Sequence, residues 1–139
     1  MIFLARGLKS SRPKNVRIKA ERLAERCRKA RTDGDVVGLS AITMSELEFG
    51  ARYGGRYELE MTLIDGLTAP FERFDYDAID CPDHFGQVRE YLERRGIVIG
   101  AEDTFIAAHA LALDATIVSN NAAHFSRVPG LKMANWLRE

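Results

Sequence analysis

Apolar residues recur along this chain at two spacings, one typical of helices and one typical of buried strands. Between residues 14 and 31, apolar or small side chains stand at steps of four and three, which predicts an amphipathic helix with one narrow apolar stripe. Short apolar runs with β-branched residues and no alternation, such as residues 36–39, predict strands that are covered on both faces. The chain is therefore expected to alternate helices with buried strands.

The remaining elements follow from the same patterns. Further helices are predicted from Thr43 to near Gly54 and at residues 57–67, 77–95 and 102–113, with strands at residues 36–39, 70–74, 115–119 and 131–136. Residues 1–6 are predicted to form a short apolar helix, or its last turns, that ends at Gly7. The order predicts an α/β fold, a three-layer sandwich with a mostly parallel central sheet, whose ligands bind at the carboxyl ends of the strands.

Composition narrows the class of protein. The chain has 139 residues, of which 46% are hydrophobic and 29% charged, and no repeat or linker divides it, so we expect one globular domain over residues 1–139. The two cysteines, Cys27 and Cys81, have neither the spacing of a zinc site nor that of a disulfide framework, which favours a reducing, cytoplasmic setting. No apolar stretch approaches the roughly 20 residues of a membrane span.

The charge is balanced overall but divided unevenly along the chain. The 20 basic and 20 acidic residues give a net charge of zero, yet eleven of the basic side chains and only Glu21 and Glu25 lie within residues 1–31. A basic end can attract a polyanion or an acidic partner, and it can equally be the solvated face of a helix.

Polar residues mark three junctions between a predicted strand and a predicted helix, where an open α/β sheet builds its site. The first contains Thr43 and Glu46, which can also be read as a capping box at a helix start. The second contains Asp103, an acid that the helix dipole favours whatever else it does. The third contains Ser119 and Asn121, and asparagines are ordinary turn residues.

The chemistry that these junctions favour is metal-dependent. No serine or cysteine has a base and an orienting acid at a recognisable spacing, and no glycine-rich phosphate loop is present. His109 is expected to be packed and hydrogen-bonded in its helix, and His84 and His124 are expected to be exposed. Carboxylates at strand ends suit Mg²⁺ or Mn²⁺, which could activate a water molecule.

Four segments together resemble the PIN-domain toxins of the VapC type. They are residues 37–50 (VGLSAITMSELEFG), residues 94–110 with the run GAEDTFIAAHA, residues 117–131 with the run IVSNNAAHF, and Asn135-Trp136. The resemblance implies a metal-dependent endoribonuclease toxin of a type II toxin–antitoxin system, usually a homodimer inhibited by a cognate antitoxin. It implies that Glu46 and Asp103 bind Mg²⁺ or Mn²⁺ and that Asn121 completes the catalytic set. Arg6, Lys9 and Arg12 are candidates for RNA phosphate contacts.

The chain departs from the family at its beginning. Family members open with an apolar strand that ends in Asp-Thr-Asn, and residues 2–7 here resemble the helix that follows that strand. We therefore expect the central strand and its acid to be missing, so that the domain is incomplete at its N-terminus and binds Mg²⁺ poorly. The alternative to a ribonuclease is a truncated or degraded module that only binds an antitoxin or RNA.

Overall fold

The computed structural model describes residues 2–4 and 13–137, and side chains from residue 21 onward. Within these residues the chain forms five strands and six helices. In chain order they are β1 (Ile2–Leu4), α1 (Pro13–Thr32), β2 (Val37–Ser40), α2 (Ala41–Tyr53), α3 (Tyr57–Thr68), β3 (Glu72–Phe74), α4 (Asp80–Arg94), α5 (Ala101–Ala112), β4 (Thr116–Val118), α6 (Ala122–Phe125) and β5 (Lys132–Ala134). None of the described helices is long and apolar enough to cross a bilayer.

The five strands form one parallel sheet in the order β3-β2-β1-β4-β5. The chain leaves the central strand β1 in one direction to build β2 and β3, and later returns to its other side to build β4 and β5. The carboxyl ends of all five strands therefore lie at one edge, and the direction of winding changes at β1, which is where open α/β sheets bind ligands. The predicted α/β fold with a parallel central sheet is confirmed.

The predicted absence of a central strand is wrong. Residues Ile2–Leu4 are extended, with Ile2 opposite Val37 of β2 and Phe3 opposite Ile117 of β4. A short apolar run carries no period that separates a helix from a strand, so its neighbours decide its conformation. Here β2 and β4 supply ladder partners on both sides, which satisfies backbone groups that a gap would leave unpaired.

Helices cover both faces of the sheet and bury two apolar clusters. On one face, α4 and α5 pack against β4 and bury Val88, Ile106 and Ile117. On the other face, Cys27 and Ala30 of α1 pack with side chains of β2, with Val118 and with Trp136. Ile117 and Val118 are neighbours that belong to opposite clusters, as expected for a strand covered on both faces. These layers make the three-layer sandwich.

Most predicted boundaries hold to within a few residues, and two differences have local causes. Helix α4 begins at Asp80 rather than at residue 77, because the carboxylate of Asp77 accepts hydrogen bonds from the backbone N–H groups of Ile79 and Asp80 at 2.8 Å. Those bonds lower the pKa of Asp77. Helix α2 begins at Ala41, two residues before the predicted Thr43, since Ser40 caps it.

Candidate functional site

The topology brings three polar segments to the carboxyl edge of the sheet. Helix α2 begins there because it follows β2 directly, and residues 119–121 lie there because they follow β4. Helix α5 precedes β4 and runs antiparallel to it, so its first turn, with Asp103, also lies at this edge. The three sequence junctions that carry Glu46, Asp103 and Asn121 therefore converge for a topological reason.

Asp103 is the centre of a small polar cluster at this edge. Asp103 is only 8% exposed, and its Oδ2 lies 3.1 Å from Asn121 Nδ2 and 2.6 Å from His124 Nδ1. The amide Nδ2 of Asn121 is also 2.9 Å from His124 Nδ1. A buried carboxylate needs hydrogen-bonded or charged neighbours, and these two side chains supply them.

The backbone on either side of Asp103 is tightly specified. Gly100 precedes α5 with φ 91° and ψ 156°, a conformation that only glycine adopts readily. Its carbonyl oxygen accepts two hydrogen bonds from Thr104, from the backbone N–H at 3.1 Å and from Oγ1 at 2.7 Å. This turn fixes the direction in which α5 begins, and with it the position of Asp103.

Asn121 is held by the loop that follows β4. Its backbone N–H donates to the Oγ of the buried Ser119 at 3.0 Å, and its carbonyl accepts from His124 and Phe125 in the short helix α6. Ser119 is tied in turn to the sheet, because its N–H donates to the carbonyl of Ala134 at 3.1 Å. The loop therefore places Asn121 and His124 on the same side, facing Asp103.

Glu46 lies in the second turn of α2, not in the first turn as the sequence suggested. It is half-buried, its Oε2 is buried, and α2 packs against α5. The capping box is excluded, because the N-cap of α2 is Ser40, whose Oγ accepts the N–H of Ile42 at 3.1 Å. With Ser40 in that role, Thr43 is a buried position inside the helix.

A second buried hydrogen bond connects the helices that carry Glu46 and Asp103. The Oγ of Ser40 lies 2.8 Å from Nδ1 of His109, which is fully buried in α5. Burial lowers the pKa of His109, and the backbone and charge of Asp75 oppose this in part. The predicted packed, hydrogen-bonded histidine is confirmed.

Comparison with known proteins places this chain. The family model for the PIN domain matches residues 15–131. The chain belongs to the PIN-domain family.

Its relatives within that family are VapC proteins. It is 34% identical to Ribonuclease VapC2 of Rickettsia felis, over 73% of this chain and 75% of the relative, and 35% identical to the tRNA(fMet)-specific endonuclease VapC of Salmonella typhimurium, over 70% and 74%. Among solved structures it resembles the DNA-bound VapBC of Salmonella typhimurium, with a TM-score of 0.81 and 29% identity over 97% of each chain. The resemblance to VapC-type PIN proteins is confirmed.

PIN nucleases generally use a divalent metal ion, and the donors at this edge suit one. Asp103 and Glu46 provide carboxylates and Asn121 an amide oxygen, and hard divalent ions prefer such oxygen ligands. Among the described residues, no three acidic, histidine or cysteine side chains come together in one group.

Arg6, Lys9 and Arg12, the candidates for RNA contacts, lie outside the described residues. His124 was expected to be exposed; the residue is half-buried with 40% of its side chain exposed, and its contact with Asp103 was not predicted. The available signal was its spacing, three residues after Asn121, which places both at the two ends of one helical turn.

Proposed function

We propose that this chain is the RNA-cleaving toxin of a toxin–antitoxin pair and that it hydrolyses phosphodiester bonds at the edge of the sheet that holds Asp103. The observation that carries the proposal is the buried Asp103 carboxylate at the carboxyl edge, in contact with Asn121 and His124. The names of its relatives, a ribonuclease and a tRNA(fMet)-specific endonuclease, give the reaction class. Because one of them is specific for a tRNA, tRNA is the first substrate to test.

In this proposal Glu46 and Asp103 hold Mg²⁺ or Mn²⁺, and Asn121, in contact with the Asp103 carboxylate, completes the catalytic set. When bound, the ion would supply a nucleophilic water at neutral pH and would neutralise charge on the phosphodiester. The chain's own part is to hold a buried anion in a fixed place. The Gly100 turn sets the start of α5, and the Ser119 loop keeps Asn121 against Asp103.

The basic N-terminal segment would bind the RNA backbone. Arg6, Lys9 and Arg12 are the proposed phosphate contacts, and the exposed basic residues near the end of α1, such as Arg28 and Lys29, form a solvated face. The rest of the chain carries a net negative charge, so this segment is the positively charged part of the sequence. Attraction of a polyanion by such a segment is long-ranged and weakens with salt.

A protein partner is part of the proposal. The similar structure from Salmonella typhimurium is a VapBC complex. Large apolar side chains on α2 and α3 are exposed here, and contiguous exposed apolar residues mark protein-binding surfaces. They are Phe49, Tyr53, Leu59, Leu63 and Leu67. We propose a cognate antitoxin as the inhibitor and a homodimer as the assembled form.

The proposed place of action is the cytoplasm, where RNA and a cognate antitoxin would both be available. Cys27 and Cys81 are free, buried thiols, and burial raises the pKa of each. Thiols with raised pKa values are poor nucleophiles and are structural in character. They fit a reducing compartment and take no part in the proposed chemistry.

The test uses the purified chain, tRNA and other RNA, and Mg²⁺ or EDTA. We expect cleavage that EDTA abolishes, and a loss of at least about a hundredfold on Asp103→Asn or Glu46→Gln, because each removes one ligand charge. Asp114→Asn is the matched control: it follows the other end of α5, is exposed, and has φ 49°, which asparagine tolerates. Cleavage that survives both site substitutions would refute the mechanism, and RNA binding without any cleavage would favour the non-catalytic alternative.

A further inference from the structure

Three polar side-chain atoms, one from each of three residues, form a nearly equilateral triangle at the proposed site. Its corners are Oδ2 of Asp103, Nδ1 of His124 and Nδ2 of the Asn121 side-chain amide. The sides are 2.6 Å between the carboxylate and the imidazole, 2.9 Å between the imidazole and the amide, and 3.1 Å between the amide and the carboxylate. Each pair is close enough to interact directly.

While Asp103 is ionised, no arrangement of hydrogen bonds makes all three of these contacts favourable. At 2.6 Å from a carboxylate, Nδ1 of His124 must carry a proton and donate it, and its N–H then faces the amino group of Asn121. Rotating the amide by 180°, which leaves heavy-atom positions unchanged, places its carbonyl oxygen against the carboxylate instead. One of the three contacts is repulsive in either arrangement.

A cation removes this conflict. An octahedral ion with bonds of about 2.1 Å separates neighbouring ligand atoms by about 3 Å, which is close to the sides of the triangle. With the amide rotated, all three corners carry lone pairs that can face one positive ion. We propose that Asp103, Asn121 and His124 form one face of the coordination sphere of the divalent ion, with Nδ1 of His124 as a nitrogen ligand.

The proposal has a consequence for which ion binds. Mg²⁺ takes oxygen ligands and rarely accepts imidazole, whereas Mn²⁺ also favours oxygen but, as a first-row transition ion, accepts a nitrogen ligand more readily than Mg²⁺ does. A site with a nitrogen ligand should therefore select Mn²⁺ over Mg²⁺. The side chain of His124 is 40% exposed, so an ion held there remains accessible to water and to a substrate phosphate. The inference rests on the proposed function and names a further residue of that same site.

The experiment is a Mn²⁺ titration of the purified chain, followed by electron paramagnetic resonance. We expect electron spin-echo modulation from a directly bound ¹⁴N, which His124→Gln removes. The same substitution should weaken Mn²⁺ binding by at least about tenfold and Mg²⁺ binding by less than about threefold. His84→Gln is the matched control, because His84 hydrogen-bonds only to Asp80 of its own helix turn among the contacts described for it, and it should change none of these values.

The outcomes separate this inference from the proposed function. Bound Mn²⁺ without nitrogen modulation, together with EDTA-sensitive cleavage, would overturn the role of His124 and leave the ribonuclease proposal standing. A His124→Gln variant that weakens Mn²⁺ and Mg²⁺ equally would also overturn it, since that result assigns His124 only to the orientation of Asp103. If the wild-type chain neither binds a metal ion nor cleaves RNA, both this inference and the proposed function are refuted. Unfolding of the metal-free variant at the wild-type temperature confirms that it is folded.

Discussion

The side chains of Ser40 and His109 meet in a buried hydrogen bond of 2.8 Å, although 69 residues separate them in the chain. Ser40 also caps α2, and His109 lies six residues along α5 from Asp103, so one hydroxyl connects the two helices that carry the proposed carboxylates. Tyr76 packs edge-on against the His109 ring, with ring centroids 5.5 Å apart. The contact therefore belongs to the frame that positions the site.

Ser40→Ala should lower the free energy of unfolding by about 2 kcal/mol, because it removes both the helix cap and the partner that Nδ1 has at Ser40. Equilibrium urea denaturation measures this. Ser45→Ala is the matched control: Ser45 is exposed, its Oγ bonds only to the carbonyl of Ala41 among the described contacts, and its loss should change stability by less than about 0.5 kcal/mol. Equal effects of the two substitutions would remove the special role of Ser40.

Stability should fall in acid because of His109. Its pKa is lowered in the folded protein, so below the ordinary histidine value of about 6.5 the unfolded chain binds a proton that the folded chain resists. The contribution of His109 is therefore absent above that pH and destabilising below it. In denaturation experiments between pH 8 and pH 5, the free energy of unfolding should decline as the pH falls. His109→Gln should make this decline shallower, and His84→Gln should leave it unchanged. An unaltered slope in His109→Gln would mean that other groups dominate.

Gly100→Ala should destabilise the protein by about 1–3 kcal/mol and reduce cleavage, because a side chain at φ 91° and ψ 156° is strained and α5 would have to begin in another direction. The nearest atom to an added Cβ is Glu102 Oε2 at 4.0 Å, so the cost is conformational and not a clash. Gly86→Ala in α4 is the contrast. It has open space around it and should stabilise the helix by about 0.5–1 kcal/mol.

The basic segment gives a salt-dependence prediction. Replacing Arg6 and Lys9 together by alanine should weaken RNA binding and flatten the slope of log K against log salt by about 1.4, near 0.7 for each lost phosphate contact on a single strand. The control is the double change of Arg28 and Lys29 to alanine, since both are exposed and already pair with Glu25 and Asp33. A slope that both double variants flatten equally would indicate nonspecific attraction.

Much of this architecture could be predicted from the sequence by itself. The apolar stripe of α1 and the apolar helix α5 could be assigned from period and length, and the β-branched residues of β2 and β4 favour strands. Asp103 and Asn121 could be predicted to be neighbours, because the carboxyl ends of parallel strands lie at one edge of the sheet. The VapC resemblance rested on those same local segments.

Tertiary structure alone decided the rest. The run Ile2–Leu4 is too short to carry a period, so its strand conformation depends on the partners that β2 and β4 offer. The start of α2 depends on whether Ser40 or Thr43 meets the free amides, and the structure selects Ser40, which also bonds to His109 in α5. The spacing of His124, three residues after Asn121, puts the two residues on one helical turn, but only the loop after β4 turns His124 toward Asp103. Contacts between residues far apart in the chain leave no periodic trace, which is why these features could not be predicted.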